Sequence, residues 1–245
     1  MGIAVQLYTL RKELEKDFHN TIKQVAEMGY EGVEFAGFYN ISAKDMLDIL
    51  TRLNLKVVGS HTDLNLLENN FDDVIEYNKT IGNKNIVIPW AKVDNIDDMK
   101  ELVNRLKPIL EKIKAHNMTL HYHNHSHELQ AYQEGYLLDY LLTELPDLYA
   151  EIDTHWVKRA NVDPISYLKK YKNRTKIVHL KDLSFFDGKP EFAPLGEGTM
   201  DLAGIIKQAQ ENDCEWLVVE NDEPKQGGIK DIEISFTYLK KNLTR

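Results

Sequence analysis

The chain has 245 residues, a formal net charge of −9 and a single cysteine, Cys214. This length suits one barrel domain over residues 1–245, and an acidic chain without a basic block is a poor partner for nucleic acid. A single cysteine excludes an intrachain disulfide framework and cysteine-rich zinc sites. Because no apolar run is long enough to span a bilayer and no signal peptide follows Met1, we expect a cytoplasmic protein without membrane partners.

Short apolar strands alternate with amphipathic helices along the chain. Strands are predicted over residues 2–8, 32–35, 56–60, 85–88, 119–128, 149–152, 176–180 and 216–219. Helices are predicted over residues 17–28, 42–53, 72–81, 95–116, 136–145, 163–171, 201–212 and 229–243. The starts of two helices are marked, since Ser42 with Asp45 resembles a capping box and Asp163 precedes a proline.

The alternation of eight strands with eight helices predicts the architecture. Helices between successive strands indicate a parallel sheet, and eight such units close into an α/β (β/α)8 TIM barrel. A doubly wound open sheet is the alternative. That fold typically has a glycine-rich turn after its first strand, and residues 6–9 contain no glycine.

The fifth strand carries four histidines at alternate positions, His121, His123, His125 and His127. The two-residue period of a strand places alternate side chains on one face, so we expect the four imidazoles to lie together. Imidazoles in a row can hold a metal, transfer protons or bind polyols. A histidine-rich but inert strand is the alternative.

Polar side chains lie at the carboxyl ends of most predicted strands, where a barrel forms its active site. They are Glu34, His61, Trp90, His123, Asp153, His179 and Glu220. Acidic and imidazole groups crowded into one mouth are stabilised by a divalent cation. We therefore predict a metal site formed by His123, Asp153, His179 and Glu220. Two nitrogen and two carboxylate ligands suit manganese, cobalt, iron or zinc better than magnesium.

Other residues near the strand ends are candidates for catalysis and substrate binding. For acid–base catalysis we expect Glu220, His125, Glu128, His155 and Lys181, although a salt bridge would also explain Lys181. For substrate binding we expect Gln6, Tyr8, Glu34, His61, Trp90 and Trp156, where the two tryptophans could form apolar walls for a sugar ring or pack in the core.

Motifs spread over nearly the whole chain carry a family resemblance. They occupy residues 5–11, 32–34, 122–125 with Glu128, 153–156, 163–164, 178–182 and 196–198, and Glu220. In these motifs the chain resembles the xylose isomerase-like barrel superfamily of sugar phosphate isomerases and epimerases, with inosose dehydratase and endonuclease-IV-type repair enzymes as relatives. The resemblance implies a carbohydrate substrate and a metal bound by Asp153, His179 and Glu220. Multimers are common among relatives, which is compatible with a homo-oligomer.

The chain departs from the superfamily pattern at one metal ligand. The resemblance implies a glutamate at the end of strand five, which sugar epimerases pair with the strand-eight glutamate to move protons on opposite faces of the substrate. This chain has His123 there and retains Glu220. Elimination or one-faced isomerisation therefore suits the chain better than two-base epimerisation.

These features predict an isomerase or epimerase that acts on a free sugar or keto-sugar by metal-assisted proton abstraction next to a carbonyl. The first alternative is a lyase of the inosose dehydratase or 3-keto-glycoside eliminase type. The others are an endonuclease-IV-like repair enzyme and a barrel that binds sugar without catalysis. Because Glu197 lies between Gly196 and Gly198 and would repel an anion, we expect an unphosphorylated substrate.

Overall fold

The computed structural model describes residues 1–243, so the last two residues of the expected 1–245 domain lie outside the described part. Eight parallel strands form a closed barrel in which each strand pairs with its sequence neighbours and the last pairs with the first. They are β1 (Gly2–Gln6), β2 (Gly32–Phe35), β3 (Lys56–His61), β4 (Asn85–Ile88), β5 (Thr119–His123), β6 (Tyr149–Asp153), β7 (Ile177–Leu180) and β8 (Trp216–Val219). The predicted TIM barrel is confirmed.

Eleven α-helices occur within residues 1–243. They are α1 (Arg11–Lys16), α2 (Phe18–Met28), α3 (Ala43–Leu53), α4 (Leu64–Asn69), α5 (Phe71–Thr80), α6 (Ile96–Ala115), α7 (Leu137–Glu144), α8 (Thr154–Arg159), α9 (Pro164–Lys170), α10 (Leu202–Glu211) and α11 (Gly228–Asn242). The predicted caps are confirmed: the Asp45 amide donates to Ser42 Oγ at 3.2 Å, and the Ser166 amide donates to Asp163 Oδ2 at 3.0 Å. None of these helices is long and apolar enough to cross a bilayer.

The main apolar core lies between the outer face of the barrel and the helices. Helix α6 buries Leu106 and Ile113, and Leu120 and Tyr122 of β5 belong to the same buried cluster. Burying one such leucine or isoleucine side chain contributes about 1.5–3 kcal/mol. The apolar residues of α6 recur at helical spacing, so they form one face, and that face packs against the barrel.

A separate small apolar cluster consists of Ala4, Val58, Ile177 and Val218. In β7 and β8 these residues are followed, two positions later on the same face, by His179 and Glu220. The inward-facing residues therefore change from apolar to ionisable toward the carboxyl ends of the strands, where we find the candidate site.

The prediction of four histidines on one strand face is wrong. Strand β5 ends at His123, so His125 and His127 lie beyond it, the latter at the start of a short 3-10 turn. Asn124 ends the strand because its side chain replaces the backbone pairing with β6: Oδ1 accepts from the Asp153 amide at 3.0 Å, and Nδ2 donates to the Asp153 carbonyl at 3.3 Å.

Some short elements were not predicted. Helix α8 begins directly after β6, because Asp153 Oδ1 accepts from the Trp156 amide at 3.0 Å and caps the helix. A hairpin pairs Asp182–Phe186 with Lys189–Ala193 after β7, and a smaller one pairs Ala131–Tyr132 with Gly135–Tyr136. Strand β1 ends at Gln6, which leaves Tyr8 in a 3-10 turn.

Candidate active site

The carboxyl ends of the strands surround a pocket of about 470 Å³. Its lining residues come from strand ends and the loops that follow them: Tyr8, Ala36, His61, Asp63, Pro89, Trp90, His123, His125, Lys181, Glu220 and Asp222. Both basic and acidic groups face this pocket, beside two well-exposed rings, Tyr8 and Trp90, which are 42% and 52% exposed.

The four predicted metal ligands, which we call the outer set, come together at the base of this pocket. One ligand atom from each of His123, Asp153, His179 and Glu220 lies within 4.8 Å of the others. His179 Nδ1 is 2.9 Å from Glu220 Oε2, and His123 Nε2 is 3.7 Å from Asp153 Oδ2. All four side chains are buried.

A second group of potential ligands, which we call the inner set, overlaps the outer set. It consists of His61, His123, Glu151 and His179. Glu151 Oε1 lies 2.9 Å from His61 Nε2, 3.1 Å from His123 Nδ1 and 3.0 Å from His179 Nε2. The sequence reasoning missed Glu151. It could have been found, because it precedes Asp153 by two residues and must share its face of β6.

Glu34 and Gln6 lie beside the inner set, where both are fully buried. Glu34 Oε2 accepts from Gln6 Nε2 at 2.9 Å and is 2.7 Å from His179 Nε2. A Cβ atom at Gly59 would be 2.7 Å from Glu34 Oε1, so a larger residue there would force this carboxylate to move. Gln6 and Glu34, which were predicted to bind substrate, are not among the residues that line the pocket, because both side chains are fully buried beside the inner set.

The Lys181 ammonium group forms ion pairs with two carboxylates of the outer set and with Asp222. Its Nζ atom is 3.0 Å from Asp153 Oδ2, 2.9 Å from Glu220 Oε2 and 3.0 Å from Asp222 Oδ2. Burial lowers the pKa of Lys181, but these three carboxylates outweigh burial and raise it. The same ammonium group, together with His179, lowers the pKa of Glu220 despite its burial. Lys181 is therefore protonated and Glu220 ionised at neutral pH.

His61 and His123 are in different electrostatic environments. Burial would lower the pKa of His61, but Glu34 and Glu151 raise it to about 10. Burial and the neighbouring charges of His179 and His61 hold the pKa of His123 well below its usual range. His123 is therefore neutral at pH 7, which is the form of imidazole that binds a metal.

The cluster meets the requirements of a divalent cation. Asp153 Oδ2, in the outer set, is a buried side-chain oxygen that has no hydrogen-bond partner among the described residues and forms an ion pair, 3.0 Å long, with Lys181. Buried carboxylates without partners are costly unless a cation compensates them. Mixed imidazole and carboxylate donors suit zinc, manganese, iron or cobalt.

Several predicted residues do face the pocket. His61, His125, Tyr8, Trp90, Lys181 and Glu220 line it. Trp156 packs behind His125, with ring centroids 5.2 Å apart, and so supports the pocket wall. Burial and the charge of Lys181 lower the pKa of His125 to about 3, which keeps its ring neutral.

Two predicted catalytic residues do not reach the pocket. Glu128 is fully buried; its Oε1 accepts from Tyr122 Oη and its Oε2 from the His125 amide, both at 2.8 Å. His155 is fully buried in α8, stacked on Phe192 with ring centroids 4.6 Å apart. A turn after β5 and a helix after β6 direct these two side chains away from the pocket.

Asp222 and Asp63 line the pocket and were missed by the sequence reasoning. Burial and the charge of Glu220 raise the pKa of Asp222 to about 6. The signal was present, because Asp222 follows Glu220 by two residues, as Lys181 follows His179. Its position, however, depends on the loop after β8, for which the sequence has no periodic pattern.

Comparison with known proteins places this geometry in a wider context. Residues 22–241 match the family model described as xylose isomerase-like TIM barrel. An inosose dehydratase of Clostridium botulinum is 25% identical and aligns over 85% of this chain and 83% of the relative. A sugar phosphate isomerase/epimerase from Parabacteroides distasonis has a TM-score of 0.84 and 21% identity over 98% of both chains. The IolI protein, solved with a bound zinc atom, has a TM-score of 0.78 and 14% identity over 100% of both chains.

Proposed function

Because the chain belongs to the xylose isomerase-like TIM barrel family, we propose that it is a metal-dependent enzyme that removes a proton next to the carbonyl of an unphosphorylated sugar or keto-sugar. The observation that carries this proposal is the outer set, His123, Asp153, His179 and Glu220, gathered at the base of a pocket. The similar IolI structure was solved with a bound zinc atom, which supports a divalent ion in this chain.

The outer set would hold the cation, and zinc, manganese, cobalt or iron suits its donors. When bound there, such an ion supplies Lewis acidity, which makes a hydrogen next to a carbonyl easier to remove. The remaining chemistry belongs to side chains that line the pocket.

Asp222 and Lys181 form an acid–base pair at the edge of the outer set, with Asp222 Oδ1 and Oδ2 3.1 and 3.0 Å from Lys181 Nζ. Asp222 is half-buried and faces the pocket, so its carboxylate can accept the proton from the substrate carbon. The Lys181 ammonium can donate a proton to an oxygen that leaves the neighbouring carbon. His125, neutral and at the pocket wall, orients a substrate hydroxyl.

The substrate is unphosphorylated because the amides of the Gly196–Gly198 turn already have an acceptor. Asp182 Oδ2 accepts from the amides of Gly196 and Gly198 at 2.9 and 3.0 Å. A phosphate would need these amides as donors. Acidic Asp63 and Asp222 at the pocket would also repel an anion, and for the same reason the site disfavours DNA.

Dehydration or elimination is the outcome that this site favours, and isomerisation is the second candidate. An epimerase of the two-base type needs a glutamate where this chain has His123. The pocket instead places Asp222 and Lys181 together on one side, which suits removal of a proton and of an oxygen from adjacent carbons. The similarity to inosose dehydratase over most of the chain supports elimination. Isomerisation is favoured by the P. distasonis neighbour.

The test is to incubate zinc-loaded protein in heavy water with ketoses, inososes and 3-keto-glycosides and to identify products by NMR. An unsaturated or dehydrated product is expected, and replacing Asp222 with Asn should slow its formation about 10²–10⁴-fold. An isomer that carries deuterium at the exchanged carbon would establish the isomerase. Chelator-treated protein is the control. Absence of both product and deuterium exchange with every substrate would refute the proposal.

A further inference from the structure

Two overlapping groups of ligands cannot both bind an ion through ordinary imidazoles. His123 and His179 belong to the outer and to the inner set. A neutral imidazole has one nitrogen with a hydrogen and one with a free lone pair, so each of these rings can serve only one set. The position of the ring hydrogens therefore decides where the cation binds.

Each shared histidine directs one nitrogen to each set. His123 points Nδ1 at Glu151 and Nε2 at Asp153, at 3.1 and 3.7 Å. His179 points Nε2 at Glu34 and Glu151, at 2.7 and 3.0 Å, and Nδ1 at Glu220, at 2.9 Å.

The carboxylates of Glu34 and Glu151, in and beside the inner set, need hydrogen-bond donors. Ionised carboxylate oxygens only accept, and the buried atoms Glu34 Oε2 and Glu151 Oε1 obtain their donors from ring nitrogens, apart from the one that Gln6 supplies to Glu34. His61 Nε2 is 2.9 Å from Glu151 Oε1 and 3.2 Å from Glu34 Oε2. Leaving such buried acceptors unsatisfied would cost about 1–3 kcal/mol each.

From this we infer that Glu34 and Glu151 are positioning residues, which in the zinc-loaded protein hold His123 as the Nδ1–H tautomer and His179 as the Nε2–H tautomer. Their lone pairs then face Asp153 and Glu220, so the cation binds the outer set and the inner set contains hydrogens instead of an ion. The inference rests on the metal site of the proposed function. It extends that site to two glutamates that touch neither ion nor substrate.

Glu151→Gln is the decisive variant, because the amide keeps the shape of the side chain but removes the negative charge with which Glu151 Oε1 holds three ring nitrogens. Glu128→Gln is the matched control. It is also a fully buried glutamate at this end of the barrel, but its partners are Tyr122 Oη, the His125 amide and the ring of His127, none of them in either set. Circular dichroism should show that both variants are folded.

The first measurement is zinc affinity by competition with a chelator, which needs no substrate. Zinc should bind Glu151→Gln about 10- to 100-fold more weakly than wild type, as expected when a carboxylate that orients a histidine ligand is lost. Glu128→Gln should bind zinc like the wild type. Equal affinity for all three proteins would overturn the inference.

The second measurement locates the ion directly. Anomalous scattering from zinc-loaded crystals should place the ion among the outer set, and long-range proton–nitrogen NMR of the zinc-loaded protein should show His123 with hydrogen on Nδ1 only and His179 with hydrogen on Nε2 only. A peak among His61, His123, Glu151 and His179 would overturn the inference whatever the turnover. Zinc in the outer set without turnover of any sugar would refute the proposed reaction alone, and wild type that binds no zinc would refute both.

Discussion

The interior of the barrel has two ends that differ within two residues of the same strand. On β7, Ile177 belongs to the apolar cluster with Ala4, Val58 and Val218, whereas His179 lies among buried carboxylates. The apolar end gains free energy from burial alone, while the ionisable end must compensate every buried charge with a partner. The apolar end therefore stabilises the barrel, and the ionisable end carries its chemistry.

The largest effect is expected at the ionisable end. Replacing His179 with Ala removes the imidazole that bridges Glu220 and the inner carboxylates. We expect the variant to lose stoichiometric zinc and all detectable turnover, because one of four ligands and its partners are lost together. Metal analysis and product NMR measure both. Zinc retained at one equivalent would contradict the ligand assignment.

Lys181→Met should separate chemistry from metal binding. The substitution keeps the length of the stem but leaves Asp153, Glu220 and Asp222 without their ammonium partner. Loss of a general acid should slow product formation about 10²–10⁴-fold. In the metal-free variant the free energy of unfolding should be about 3–5 kcal/mol lower than in metal-free wild type. Added zinc should restore stability but not turnover. Restored turnover would exclude Lys181 as the acid.

Ile177→Ala tests the apolar end. A truncated isoleucine in the apolar cluster should lower the free energy of unfolding by about 2–5 kcal/mol through lost burial and a residual cavity. Urea denaturation measures the loss, with Ile177→Val as a milder control at about 0.5–1.5 kcal/mol. Because Ile177 lies one inward-facing position below His179, zinc affinity should stay within the wild-type range. A large change in affinity would show that the two ends are coupled.

Replacing Asp231 should have the smallest effect. It measures how much a buried carboxylate outside the two ligand sets lowers the free energy of unfolding. Burial raises its pKa to about 6, and its Oδ1 atom has no hydrogen-bond partner among the described residues. A raised folded-state pKa means that the protonated form is favoured in the fold, so stability falls as pH rises from about 4 to 6. Asp231→Asn should remove this loss.

The measurement for Asp231→Asn is the free energy of unfolding at pH 4.5 and 7.5. Relative to wild type, the variant should gain about 2 kcal/mol between the two pH values, because one pKa unit corresponds to about 1.4 kcal/mol. A pH profile parallel to that of wild type would show that Asp231 is ionised at little cost.

The residues of the outer set could be predicted because a closed parallel barrel brings all strand ends to one mouth. Asp153 ends β6, His179 lies one residue before the end of β7, and Glu220 directly follows β8, and the sequence marks all three strands clearly. Glu151 could have been predicted by the same two-residue period. It was missed because a glutamate within a strand is normally expected to face solvent. Only the closed barrel shows that this side chain faces the interior.

Side chains beyond the strand ends could not be predicted, because loops have no period. Glu128 and His155 point away from the pocket, and Asp222 points into it, for reasons of local hydrogen bonding: Glu128 binds the His125 amide, and α8 starts at the Asp153 cap. These contacts join residues whose relative directions depend on turn geometry, and composition does not determine that geometry.

The sequence by itself determined the barrel and the meeting of imidazoles and carboxylates at its mouth, because apolar periodicity and strand order are local properties that a closed parallel sheet turns into one shared edge. Tertiary structure alone decided that Glu34 and Gln6 are buried beside the histidines, that Lys181 joins Asp153 to Glu220, and which nitrogen of each shared histidine faces which carboxylate. These outcomes depend on distances of about one hydrogen bond between different strands, and such distances are set only when the barrel closes.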